Sequence, residues 1–368
     1  MKKELAMKLI ADQMGWDHKV ATKEFDELEM MVNYKYDHYQ GFQPGSRFYL
    51  ALIGWLNQFN TVEKRQIAYD FLKNRLLFFS QREMHHLISL LMPIIDRSMR
   101  TEVAKERSVP LYQTWLDAGA RRRVDLMLMR TLFIALSDGA RIDVFRRFNE
   151  GLVSNEQVLA YSEISESKWQ DLLNELEKTL LAQGYKKQDA YFERICLIDD
   201  FTGSGSSLIR NANGVWKGKI KRFTDLYCKL MNTAPTPVFV QVHHHLASAK
   251  ACDNINRDLA DFSKTQERFQ FVATYSYQLP QSVVIEESSQ ADLVSLLQGH
   301  YDTNVEDDHS KNVLFGYGKS GLPLVLEHNT PNNSIGLLWA ESPKNMQPNT
   351  HHMTPLFIRR KRHSSHHG

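Results

Sequence analysis

The sequence predicts an α/β protein: an open parallel sheet with crossover helices, preceded by a helical N-terminal region and followed by a separate C-terminal segment. Three observations carry this. Short apolar, β-branched runs at residues 132–136, 195–198, 238–242 and 269–273 have the length of buried strands. Segments with helical spacing separate them, and that alternation is the pattern of parallel strands joined by helices. The first two runs end in loops rich in Ser, Gly and Asp, at the strand edge where open α/β sheets bind ligands.

With 368 residues the chain is long enough for about two domains and a sizeable core. Its 42% hydrophobic and 24% charged residues fit an ordinary globular protein. A net charge of +2 gives no whole-chain electrostatic case for nucleic acid and leaves only a local patch open. Cys196, Cys228 and Cys252 lie far apart without Cys-x-x-Cys spacing, which points away from a disulfide framework or zinc ribbon and toward a reducing compartment. Lys2 and Lys3 resemble the start of a signal segment, but Glu4, Asp12 and Asp17 interrupt any apolar stretch. No run approaches about 18 apolar residues, so no membrane span and a cytoplasmic location are expected.

Residues 1–108 read as a helical region. Ile67, Phe71 and Leu72 recur at helical spacing after Asn60, with Glu63 as a capping-box partner. Ser80-Gln81-Arg82-Glu83 is a second capping box, opening an apolar segment through Leu87, Ile88, Leu90 and Leu91 to Pro93. Residues 47–59 form a third amphipathic stretch. Mixed charges and aromatics at core spacing favour packing over DNA reading here.

Residues 109–300 read as the sheet-bearing core. The strand at 132–136 runs into Ser137-Asp138-Gly139-Ala140-Arg141, where Gly139 permits a tight turn and Arg141 supplies a cation for an oxyanion. A Ser-Asp-Gly turn capping a helix fits the same residues. Arg146 and Arg147 follow on a helix and can reinforce that charge. Ser154-Asn155-Glu156-Gln157 is a further capping box, and a helix over 168–181 leads to the central strand.

That strand, 195–198, ends in Asp199 and Asp200, then Phe201-Thr202-Gly203-Ser204-Gly205-Ser206-Ser207 and apolar spacing suited to a helix. Consecutive backbone N–H groups in such a loop, with the hydroxyls of Ser204, Ser206 and Ser207 and a helix N-terminus behind them, can cradle a phosphate monoester. The two acids would repel phosphate but suit vicinal hydroxyls or a phosphate-bound Mg²⁺. A P-loop is excluded because no Gly-Lys-Ser/Thr follows. A Rossmann fingerprint is excluded because the acids precede the glycines.

The stretch resembles the 5-phosphoribosyl-1-pyrophosphate (PRPP) motif of type I phosphoribosyltransferases. The resemblance implies that Asp199 and Asp200 hold the ribose hydroxyls and meet Mg²⁺ carried by PRPP. It implies that Thr202 and residues 203–207 hold the 5-phosphate. It also implies a pyrophosphate loop after the upstream strand, where residues 137–141 stand, and a mobile closing loop where residues 149–167 stand. Gly203 departs from the pattern, since purine enzymes often carry an acid there, and this puts purine-base chemistry in doubt.

Residues 301–368 read as a C-terminal hood and basic tail. A strand through 322–326 enters the loop Glu327-His328-Asn329-Thr330-Pro331-Asn332-Asn333-Ser334, and Trp339 follows. Asn329, Asn332 and Asn333 can offer amide donors and acceptors to a base beside an aromatic face, or simply form an Asx-turn loop. Together with Ser-Asp-Gly-Ala-Arg and Asp-Asp-Phe-Thr-Gly-Ser-Gly, the Asn-Thr-Pro-Asn-Asn pattern resembles the phosphoribosyltransferase-like effector family of bacterial conflict systems. Some members of that family accompany retron reverse transcriptases in phage defence. This implies an effector acting on PRPP or a related nucleotide-like substrate by transfer or hydrolysis, partnered by a reverse transcriptase and its RNA or DNA product. A non-catalytic PRPP sensor and a nucleic-acid-binding subunit are the alternatives. Nothing in the sequence fixes an oligomeric state. His243, His244 and His245 alternate across a strand, which disfavours one three-ligand metal site. Residues 359–362 are basic and suit a solvated tail or weak phosphate contacts.

Overall fold

The computed structural model describes residues 3–40, 48–230, 237–306, 311–343 and 352–359. Arg360, Lys361 and Arg362, and His351, His363, His366 and His367, lie outside them. The chain divides into two compact units, residues 1–83 with 280–368 and residues 84–279. These divisions are drawn by contacts, and they fall at other residues than the composition shifts at 108 and 300.

The first unit opens with α1 (Lys3–Met14), α2 (His18–Tyr34), α3 (Phe48–Asn57), α4 (Val62–Arg75) and a short strand, β1 (Leu77–Phe79). The Asp17 side chain accepts from the Val20 amide at the start of α2, and Thr61, one residue after Asn60, does the same for Lys64 at the start of α4. At α5 (Gln81–Ser89) the expected capping box is formed: the Ser80 amide donates to Glu83 Oε2 at 2.7 Å and Ser80 Oγ accepts from the Glu83 amide at 3.4 Å.

The second unit follows with α6 (Leu91–Glu106), α7 (Ala118–Met129), β2 (Thr131–Ala135), α8 (Ile142–Phe148), β3 (Val158–Ala160), α9 (Glu166–Ala182) and β4 (Arg194–Thr202). It continues through β5 (Arg210–Ala212), β6 (Val215–Lys217), α10 (Lys219–Leu230), β7 (Val238–Ser248), α11 (Ala249–Ser263) and β8 (Phe269–Leu279). A five-stranded sheet, ordered β3-β2-β4-β7-β8 and parallel throughout, forms its centre. Alternate residues feed two cores. Leu132, Ile134, Ile195 and Leu197 pack with Leu176, Phe223 and Ile255 from α9, α10 and α11; Phe133, Cys196 and Ile198 pack with Met99, Val124 and Phe145 from α6, α7 and α8. Helices on both faces explain why these strands read as continuous apolar runs.

Three expectations change. Residues 149–167 are not all loop: Val158–Ala160 pairs with β2 as the edge strand of the sheet. The central strand does not stop at Ile198, because Asp199 pairs with His244 and Thr202 with Ala247. No helix follows the Gly/Ser loop directly. The antiparallel hairpin β5–β6 intervenes, turning at Asn213 and Gly214 with φ of 54° and 84°, the two positive-φ positions of a type I′ turn.

The chain then returns to the first unit with α12 (Ala291–His300), β9 (Leu324–Leu326) and α13 (Gly336–Trp339). Here β9 pairs in parallel with β1, and Trp55 Nε1 donates to Leu337 O at 2.9 Å within an aromatic-rich core. Among the described residues no helix is long and apolar enough to cross a membrane.

Candidate functional site

The site is built at the carboxyl end of β4. Since Ile195 and Leu197 face one core and Cys196 and Ile198 the other, the alternation carries Asp199 and Asp200 to opposite faces of the sheet. Asp199 is buried at 5% exposure and has both oxygens engaged: Ser137 Oγ donates to Oδ1 and Lys219 Nζ to Oδ2. Burial pushes this carboxyl above its ordinary range, Lys219 and Ser137 pull against that, and the like charge of Asp200 adds to it. Asp200 lies against the 137–141 loop, where a Cβ on Gly139 would overlap its carboxylate.

The loop after β4 is fastened through its carbonyls. Gly203 O accepts from Ser248 Oγ at 2.7 Å, Ser204 O from Asn254 Nδ2 at 3.0 Å and Ser206 O from Arg210 Nη1 at 2.7 Å. Ser248 also caps α11 by accepting from the Ala251 amide at 3.0 Å. Gly205 has φ of 77°, and a Cβ there would come within 2.9 Å of Ile255 Cγ1, so only glycine suits it. Among the described residues the amides of 204–207 donate no hydrogen bond. With carbonyls tied back and amides unspent, this backbone can bind an anion. Lys219, first residue of α10, donates its amide to Ser207 O at 3.1 Å, so the helix start reaches the loop across the hairpin.

Ser137–Arg141 lies beside it, at the end of the adjacent strand β2. Asp138, Gly139 and Ala140 form one 3₁₀ turn, and Arg141 takes a left-handed conformation with φ of 48°. For a side-chain-bearing residue this costs about 1–2 kcal/mol, strain that clusters at ligand sites. His245 Nε2 donates to Ala140 O at 3.2 Å from β7 and holds the turn. Arg146 and Arg147 do not join it. They line a different cavity, of about 620 Å³, with Met129 and Phe192 from the amino ends of the strands, because α8 runs its seven residues back along the sheet.

The end of β7 carries His243, His244 and His245, all buried. His243 and His245 share a face with ring centroids 5.3 Å apart, while His244 stacks on Tyr275 at 6.3 Å. Ser276 Oγ gives its one hydrogen to Leu87 O at 2.6 Å, so His243 Nε2 must donate to Ser276 at 3.0 Å. Thr274 Oγ1 then donates to Nδ1 at 3.0 Å and accepts from Gln241 Nε2 at 3.0 Å. Burial is the first cause of all three depressed values: His243 falls well below its ordinary range, His244 to about 3 and His245 to about 4. Lys219 pushes His244 further down, and the Ala140 hydrogen bond resists for His245.

Thus Ser137–Arg141, Asp199, Asp200 and Thr202–Ser207 gather at one sheet edge. Asn329, Asn332 and Asn333 belong to the other unit. There Asn333 is buried and its amide nitrogen donates to Tyr317 O and Ser320 Oγ, each at 3.0 Å, while Asn332 O accepts from the Tyr317 amide at 2.7 Å. No cluster of three or more His, Cys, Asp or Glu side chains suited to a metal occurs among the described residues. Lys219, Ser248, Asn254 and His245 were not legible as site residues. The Asn213-Gly214 dipeptide was the one signal that a hairpin separates the loop from its helix.

The model of the family described as PRTase-CE, a phosphoribosyltransferase-like family, matches residues 52–359. No curated protein and no solved structure matches the chain.

Proposed function

The chain belongs to the PRTase-CE family, and from that premise we propose that it acts at the anomeric carbon of PRPP or a related phosphoribosyl compound. The carrying observation is the loop at 203–207, where Ser248, Asn254 and Arg210 take carbonyls and the amides of 204–207 donate to no described residue. That backbone holds the 5-phosphate. Asp200 holds ribose hydroxyls, favouring positive charge as the C–O bond breaks. Ser137–Arg141 receives the leaving diphosphate through backbone amides and the Arg141 guanidinium. Both oxygens of Asp199 being engaged, Mg²⁺ fits this corner only through the ligand's own phosphate oxygens, with Asp200 the carboxylate it would meet. When bound, it would neutralise diphosphate charge.

Calorimetry with PRPP and Mg²⁺ tests the assignment. Gly205→Val forces a β-branched residue into positive φ against Ile255, and binding is expected to vanish while circular dichroism stays native. Equal affinity in wild type and variant would remove the loop from the site. Diphosphate release separates turnover from the sensor reading, which Gly203 and the engaged Asp199 favour: a chain that binds PRPP without releasing diphosphate is a sensor.

The three motifs at their spacing support an effector role in a bacterial conflict system, in the cytoplasm and restrained by a reverse transcriptase with its RNA or DNA product. Expressed alone, the protein is then expected to slow growth, and Asp199→Ala with Asp200→Ala to relieve this. Equal growth of both strains, with no protection from phage when the partners are present, would leave a metabolic role.

A further inference from the structure

Lys219 has no place in the phosphate-loop pattern, yet the fold brings it to the centre of the site. Its amide donates to Ser207 O at 3.1 Å and the next amide, of Ile220, to Leu208 O at 3.0 Å, which roots the side chain beside the end of the loop. Its ammonium reaches back to Asp199. An ammonium carries three donors, and among the described residues the contact to Asp199 is the one it makes. The side chain is 21% exposed whereas that of Asp199 is 7% exposed, so the cation, not the acid, has donors left for a ligand. A phosphate arriving at 204–207 brings negative charge toward two carboxylates. A cation paired with Asp199 at the end of that loop offsets part of the repulsion, and a lysine ammonium is a compact phosphate-binding charge.

We propose that Lys219 is the ligand-contacting cation of this site, and that Asp199, with Ser137, is a positioning residue that aims it and leaves hydroxyl binding to Asp200. The inference rests on reading 203–207 as a phosphate loop. It is tested by calorimetry of the full chain with ribose 5-phosphate in EDTA, so that no divalent ion can substitute.

Lys219→Met is expected to weaken binding roughly ten- to hundredfold, the range of one hydrogen bond to a charged group, and Lys219→Arg to retain most of the affinity. Since Lys219→Met strands a buried carboxylate, Asp199→Asn/Lys219→Met supplies a folded, charge-matched variant. If Asp199 acts through Lys219, this double variant binds like Lys219→Met and Asp199→Asn alone also loses affinity, an outcome a purely structural ion pair would not give. Affinity unchanged in both lysine-to-methionine variants overturns the role of Lys219. Losses that multiply in the double variant overturn the positioning role of Asp199. If wild type itself fails to bind ribose 5-phosphate with or without Mg²⁺, the phosphate-loop reading falls and this inference with it.

Discussion

The ends of β4 and β7 run side by side, with Asp199 paired to His244 in register, and they keep buried polar groups by opposite means. On β4 the buried carboxyl is matched by an ammonium brought in from α10, and Ser137 completes the pair. On β7 hydroxyls hold His243, a carbonyl holds His245 and Tyr275 stacks on His244, and burial depresses the pKa of all three imidazoles. An ion pair in low dielectric needs its partner at all times, whereas a neutral imidazole needs only donors and acceptors in the right order. The charged end can therefore answer an anionic ligand, while the neutral end has no charge to offer one.

Acid breaks this contrast with the largest expected effect. The unfolded histidines protonate near pH 6.5, and the native ones resist until about 4 for His245 and about 3 for His244. Between those limits the unfolded chain binds more protons, so stability falls as pH falls, by up to about 1.4 kcal/mol per pH unit for each histidine. Asp199 works the other way. Its raised native value lets the folded state take up a proton at higher pH than the unfolded chain does, which offsets part of the loss. Urea titrations from pH 7 to pH 4.5 should show the decline, shallower in His244→Gln. Identical slopes would mean that His244 is not a buried neutral group.

Removing the compensating charge is the next largest. Lys219→Met leaves Asp199 without its ammonium and is expected to cost about 3 kcal/mol at pH 7, the low end for a broken buried pair because Lys219 is partly solvated. Adding Asp199→Asn should restore most of it, since a neutral pair carries no stranded charge. Urea midpoints that leave Lys219→Met as stable as wild type would show the pair to be worth no more than a surface contact.

The sheet was legible from the sequence because strands covered on both faces must be largely apolar: residues 132–136 and 195–198 are apolar throughout, and 238–242 and 269–273 are interrupted by one glutamine each, Gln241 and Gln270. The Gly/Ser loop was legible because a backbone anion site needs small residues in sequence. The rest of the site depends on contacts distant in the chain. Lys219 follows Asp199 by twenty residues with a hairpin between them, so no local spacing links the two. His245 supports Ala140 across more than a hundred residues. Arg146 and Arg147 follow closely on the 137–141 loop in sequence, yet the helix carries them to a different cavity. The strand Val158–Ala160 was too short to show a period of its own.

The smallest effect examines the neutral end alone. Thr274 joins Gln241 to His243: its hydroxyl accepts from Gln241 Nε2 and donates to His243 Nδ1, both at 3.0 Å. Thr274→Val keeps the shape and removes the hydroxyl, leaving a buried amide N–H without its acceptor and an imidazole nitrogen without its donor. Each lost bond carries a net value near 1 kcal/mol, and stranded groups add desolvation, so a loss of about 1–3 kcal/mol is expected. Thr274→Ser keeps the hydroxyl and loses only a methyl, so it should cost less than Thr274→Val. Because no charge is involved, the deficit of Thr274→Val should be the same at low and high salt. If Thr274→Ser is as destabilised as Thr274→Val, the methyl and not the hydroxyl is what matters. The order of donors through Gln241, Thr274, His243 and Ser276 would then not be what holds the β7 end neutral.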